Sequence, residues 1–248
     1  MASFAKLLTA MAALVAAVAW PLTFLALLYL FRAEIRLILR RVPALLDKIR
    51  KASLAGINLE LDRVADEAER SGNERGAITP RQIEAAARIA IQTHEVGPQP
   101  LLDELDRLCL EYDSLRRSLP SGHERTQAMT RVIVKMRSLA PSLVDYLDAY
   151  KGSGSAGSRL AAIAMMQMVP RVADLDWLRD RFSSEQPFVF YHAALALQNV
   201  ANISDTPEKK KRLREVVEQA LSTVKSFAGV PDRGTIQVLE MLLSSLSK

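Results

Sequence analysis

The chain has 248 residues, 49% of them hydrophobic, 25% charged and only 6% aromatic, with one cysteine and three histidines. That balance excludes a disordered chain, a collagen-like fibre and a disulfide scaffold, and leaves a globular protein of one or two domains. The net charge of +5 sits at one end: residues 1–51 carry eight Lys/Arg against two Asp/Glu and the remainder 25 against 26, so the purely electrostatic case for DNA or RNA binding by the body is weak.

From Leu7 to Phe31 no residue carries a formal charge. As a helix rising about 1.5 Å per residue this run is long enough to cross a hydrocarbon core of roughly 30 Å. A competing reading is a signal peptide, with Lys6 before the apolar stretch and Ala17-Val18-Ala19 as a cleavage site. Against it, the apolar run continues twelve residues past that site and ends abruptly at Arg32. Arg32, Arg36, Arg40, Arg41, Lys48, Arg50 and Lys51 follow the span, and only Lys6 and the amino terminus precede it. This bias predicts an outer N-terminus and a cytoplasmic C-terminal body. Ala12 with Ala16 and Ala13 with Ala17 have the four-residue spacing that allows close helix approach, and Pro21 predicts a kink.

Residues 32–60 read as a basic juxtamembrane oligomerisation segment. Ile35, Leu39, Val42, Leu46 and Ile49 alternate spacings of four and three, a short heptad seam on which Leu39 and Leu46 are central. An amphipathic helix lying on the lipid surface is the alternative. Ile57 to Asp62 alternates apolar and polar residues and predicts an extended stretch.

Beyond it the expected fold is all-α, a helical domain over 61–150 and a HEAT-like helical subdomain over 159–248. Thr79-Pro80 caps a helix to about His94, and Gly97-Pro98-Gln99-Pro100 separates it from one ending near Leu119. Ser121 with Glu124 has capping-box spacing for a helix to about Leu139, and Pro141 starts a short helix to Tyr150. The Gly/Ser-rich residues 151–158 read as a flexible linker and a domain boundary. Helices are then expected over 159–169, 173–182, 187–201, 207–227 and 233–247. The first and third of these are apolar nearly all round and must be buried between neighbours.

Chemistry is sparse. Cys109 stands alone on a helix where burial is the ordinary fate of the residue, and His94, His123 and His192 are too scattered for a metal cluster. No phosphate-loop, dinucleotide, zincin or nucleophile-elbow motif occurs, so neither a cofactor nor an enzymatic activity is expected. Tyr191 and His192 share a helix face with Phe188 and Leu195. They read either as part of a packed core or as the wall of a ligand site, with Arg159 supplying charge. Lys209, Lys210 and Lys211 open a helix whose dipole disfavours cations, and read either as a solvated charge run or as phosphate contacts.

The segments Arg159 to Gln167, Trp177-Leu178 and Pro187 to Leu197 resemble helical sensor regions of bacterial anti-phage effectors. With the span, basic seam and helical body, the plan resembles the membrane-channel effectors of nucleotide-signalling defence systems, in particular the Hailong type. The resemblance implies a homo-oligomeric, membrane-permeabilising protein gated by an oligonucleotide or cyclic nucleotide, itself made by a nucleotidyltransferase partner. The other functional expectation is a membrane-tethered adaptor whose helical array docks proteins without conductance.

Overall fold

The structure is a computed structural model, and it describes residues 20–21, 23–25, 27, 29–32, 55–70, 78–229 and 233–247. The chain divides into two compact units, Met1–Ala52 and Ser53–Lys248. In the first, the described residues between Trp20 and Arg32 are helical apart from a turn at Phe31, and Trp20, Phe24, Tyr29 and Leu30 are exposed. No helix among the described residues is long and apolar enough to cross a membrane. Most of the 7–31 run lies outside the described residues, as do Ala12, Ala13, Ala16, Ala17, Leu39 and Leu46.

In the second unit the described residues are helical and contain no strand. Helix α1 covers residues 55–70 and corrects the extended reading of Ile57 to Asp62. Ile57, Leu61, Val64, Ala65 and Ala68 are buried along one line at helical spacing, and Leu59, the middle apolar residue of the alternation, is 72% exposed. The longer 3.6-residue stripe overrides a six-residue alternation because a lone strand has nothing to pair with.

The following helices are α2 (Pro80–Val96), α3 (Gln99–Ser118), α4 (His123–Leu139), the single turn α5 (Leu147–Lys151), α6 (Ala156–Met168), α7 (Leu175–Ser184), α8 (Pro187–Ala201), α9 (Pro207–Lys225) and α10 (Arg233–Leu246). Short 3-10 turns at Ala140–Ser142 and Val144–Tyr146 replace the helix expected from Pro141. Several starts carry the caps their residues predict. Thr79 and Gln82 bond each other reciprocally, and the side chains of Asp174 and Thr206 accept from the amides of Trp177 and Lys209. Ser121 departs from its expected role: the N-cap of α4 is Gly122, which has no side chain to offer, and the Ser121 hydroxyl accepts from Arg125 instead.

Helix α6 packs against α3, α4, α5 and α8, and α8 also against α7 and α10. Leu160 to Met166 are each no more than 1% exposed, as an all-round apolar helix requires. Burying each Leu, Ile or Met side chain there contributes roughly 1.5–3 kcal/mol. One core cluster runs from Ile57 to Leu242, so it continues across residues 151–158. That segment therefore lies inside the compact unit from Ser53 onward and is packed there. Asp113 accepts from the Ser155 hydroxyl and the Gly157 amide, Lys151 pairs with Asp174 at 2.7 Å, and a Cβ at Gly157 would lie 2.1 Å from the Cys109 carbonyl oxygen. Glycine here serves close helix approach, not flexibility.

Candidate functional site

A cavity of about 600 Å³ opens among α1, the C-terminal end of α3, the N-terminal half of α4 and the first turn of α8. Ala65, Ala68, Met129 and Val134 give it an apolar floor, and Tyr112, Phe188 and Tyr191 an aromatic wall. Tyr112 and Phe188 lie 6.0 Å apart, ring centre to ring centre. The volume falls in the range of small-molecule sites.

The rim is basic. Arg131 is satisfied by Asp66 at 2.7 Å and by Glu69, which also accepts from Gln127. Among the described residues Arg125 donates to neutral acceptors, the Leu119 carbonyl at 3.3 Å and the Ser121 hydroxyl at 2.7 Å. Arg116 lies 5.8 Å from the Tyr112 ring centre, and neither it nor Arg125 meets a carboxylate among the described residues. Two helices begin at this cavity, α4 at Gly122 and His123 and α8 at Gln186 and Pro187, and neither has a side-chain cap. First-turn amides of α4 point along the positive end of its dipole, whereas at α8 Pro187 brings no N–H and the Val189 amide donates to the Gln186 carbonyl at 2.8 Å, so that end supplies fewer donors.

Behind the aromatic wall lies a buried polar network. Arg137, fully buried on α4, donates from Nε to Oε1 of Gln167 at 2.6 Å and from its guanidinium to Nδ1 of His192 at 3.1 Å. Gln167 in turn donates to the His192 carbonyl at 2.6 Å, and Asn199 to the Gln167 carbonyl at 2.9 Å. Burial pulls Arg137 down to about 9, partly opposed by Tyr191, so it stays charged at neutral pH. Burial and then the Arg137 charge hold His192 well below its ordinary range. The His192 ring packs edge-on against Phe188 at 4.6 Å and Tyr191 at 5.4 Å. Those two aromatics join the network to the cavity.

Of the six ligand-site residues read from the sequence, only Tyr191 lines this cavity. His192 is one layer deeper. Arg159 is taken up structurally: its Nε pairs with the buried Glu185, and its guanidinium donates to the Ser153 and Gly154 carbonyls at 3.2 and 2.8 Å. Lys209, Lys210 and Lys211 are exposed on the first turn of α9, with Lys209 paired to Asp205 at 2.9 Å. Arg159, His192 and the three lysines thus lie outside the lining of this cavity, which stands on the α3–α4 side. Tyr112, Arg116 and Arg125 escaped sequence reading, since an aromatic and an arginine four apart on a helix are commonplace; Arg137 left a signal, a charge inside the apolar stretch from Val132 to Leu139.

Cys109 does not line the cavity, and burial pushes its thiol up to about 12. Among the described residues no cluster of His, Cys, Asp and Glu is placed to hold a metal ion. Compared with protein-family models, curated proteins and solved structures, the chain matches none.

Proposed function

We propose that this chain is a ligand-regulated membrane effector. The apolar run 7–31 anchors it, several copies associate through the span and the Ile35 to Ile49 seam to permeabilise the membrane, and the unit from Ser53 onward holds the regulatory ligand. The observation that best supports the reading is the cavity, where an aromatic wall stands beside a basic rim and two uncapped helix N-termini. Aromatic faces beside cations and helix starts suit a flat ring carrying negative charge, the chemistry of a nucleotide-derived signal. Occupancy can open or close a pore only through different affinity for the two states. Phe188 and Tyr191 offer a path, because they touch both the cavity and the His192 network that ties α8 to α4 and α6.

The test is ion flux from liposomes carrying the full chain, measured with and without mono- and oligonucleotides. Flux that responds to a nucleotide, and stops responding in Arg116→Ala, supports the reading. Vesicles that stay tight under every condition overturn it.

A second reading, a membrane-tethered adaptor, is favoured by a separate observation. Ile83, Ala87 and Ile91 form one outward line along α2, with the two isoleucines 56% and 74% exposed. Exposed apolar lines of this kind mark protein contacts. Tight vesicles together with saturable binding of a defined partner, lost in Ile83→Glu and Ile91→Glu, would establish it.

A further inference from the structure

The outward line on α2, Ile83, Ala87 and Ile91, has charges beside it that are unevenly matched. On α1, Glu60 accepts from two arginines, Arg63 at 2.9 Å and Arg88 of α2 at 2.5 Å. Glu84, one turn before Arg88, is exposed and has no ion pair among the described residues. Arg88 is turned to Glu60 through Nε and one Nη, and its other Nη has no acceptor among those residues. One carboxylate and one guanidinium edge are therefore left over. At about 100° per residue both stand on the same flank of the line, roughly 60° and 100° round the helix from Ala87. The opposite flank carries Ala90, small and half-buried.

This pattern is complementary to itself. A two-fold axis at Ala87 that sets two α2 helices antiparallel brings Ile83 of each copy to Ile91 of the other, and the two Ala87 residues together. The axis keeps the charged flanks on one side and reverses their order along the helix. Glu84 lies about 4.5 Å before Ala87, so its image lies about 4.5 Å beyond it, roughly 3 Å along the axis from Arg88. Each Glu84 thus meets the leftover edge of the other copy's Arg88, and the pairing occurs twice. The four-residue ridges of two identical helices interdigitate in the commonest class of helix packing, and alanine at the crossing lets the backbones close.

We infer that the outer face of α2 is a contact between two copies of this chain, centred on Ala87 and closed by Glu84 to Arg88 pairs in both directions. Such a contact is isologous and joins copies two at a time. Two isoleucines and an alanine per copy fall short of the roughly 800 Å² per partner of a standard interface, so dilute copies in detergent stay apart. Anchoring in one membrane raises the local concentration as a linker does, to about the millimolar range, where a weak contact forms. The inference rests on the reading above for the anchor alone. It goes beyond it in giving the body a self-contact distinct from the seam and the cavity, and in naming a second copy where the adaptor reading has a foreign partner.

The experiment reconstitutes full-length Ala87→Cys and Ser183→Cys in vesicles and oxidises them mildly. Both positions are exposed, the second on α7 and off the line, and Cys109 is buried away from the reaction. Helices crossing at Ala87 bring two Cα atoms within the range a disulfide spans, about 4.4–6.8 Å. Ala87→Cys is expected to form covalent dimer at least tenfold faster than Ser183→Cys. Adding Ile83→Glu and Ile91→Glu is expected to remove that advantage while the thermal midpoint holds. Glu84→Arg chains and Arg88→Glu chains, each also carrying Ala87→Cys, are expected to be captured slowly alone and several-fold faster when mixed, since only the mixed pair sets opposite charges face to face. Equal rates for Ala87→Cys and Ser183→Cys overturn the inference, and so does capture that survives the two glutamates, because that is collision. Charge variants captured alike alone and mixed overturn it too. Saturable binding of a defined foreign protein at Ile83 and Ile91 without self-capture gives the face to the adaptor. Capture as expected in vesicles that stay tight under every nucleotide keeps the contact and removes the effector reading; nucleotide-responsive flux without capture does the reverse.

Discussion

The guanidinium of Arg137 faces Nδ1 of His192 across 3.1 Å in a fully buried setting. An arginine has no acceptor to offer, so Nδ1 accepts, the imidazole is neutral and its proton sits on Nε2. Protonating Nδ1 would break this bond and set two buried cations side by side. The arrangement therefore makes the fold sensitive to mild acid in a way that surface ion pairs do not.

The sign follows from linkage. His192 titrates well below its ordinary range in the folded protein and near 6.5 when unfolded, so between those values the unfolded chain binds the extra proton. Stability contributed by neutral His192 is complete above about pH 7 and declines as pH falls below 6.5, at no more than about 1.4 kcal/mol per pH unit. The thermal midpoint of the parent protein is expected to fall on acidification from pH 7.5 to 5.5. In His192→Asn, whose side-chain oxygen can still accept from Arg137, the fall should be shallower. Parallel profiles for the two proteins would show that His192 is not the sensing group.

Gly157 tests the junction at residues 151–158. A methyl group there meets the Cys109 backbone, which cannot swing aside as a side chain can. Gly157→Ala must push α6 away from α3 and is expected to cost about 1–3 kcal/mol or more, read as a lower denaturation midpoint. Gly154→Ala, with open space around its added carbon, should change the midpoint little. A flexible linker would tolerate both.

These residues mark how far the sequence could be read. Periodicity and caps located α2, α3, α8 and α9 closely, because Thr79, Thr206 and the prolines that follow them act within one turn. The all-round apolar character of Leu160 to Met166 announced a central helix without naming its neighbours. What stayed illegible depends on residues far apart in the chain. Asp113 turns a Gly/Ser run into a rigid junction, Glu185 claims Arg159, and Tyr112 meets Phe188 only after α3 and α8 have packed on the core.

Arg159 should accordingly behave as a structural residue. Its partner Glu185 has a side chain 2% exposed and, among the described residues, is otherwise paired with Arg181 at 3.7 Å. Arg159→Ala leaves that carboxylate poorly compensated and frees the Ser153 and Gly154 carbonyls, for an expected loss of about 2–4 kcal/mol. The triple replacement of Lys209, Lys210 and Lys211 by alanine should stay within about 0.5 kcal/mol of the parent, as exposed side chains usually do. Urea denaturation of the two variants side by side decides the matter. A stable Arg159→Ala whose vesicles nonetheless lose their response to nucleotide would return Arg159 to the ligand site.

On the proposed reading, the pore depends on the seam and not on the cavity. One span per chain encloses no channel, so conductance requires association, and the Ile35 to Ile49 positions provide the apolar repeat for it. Leu39→Glu with Leu46→Glu places carboxylates at the centre of that repeat, where two or more copies would bring like charges together in an apolar seam. The double variant is expected to run as a monomer by light scattering in detergent and to leave vesicles tight. Because Ser53–Lys248 is a compact unit of its own, its thermal midpoint should match the parent's. Separation of the two readouts in this way would place association upstream of permeation; a double variant that remains oligomeric, or a parent that is monomeric, removes the multi-helix pore and leaves the adaptor.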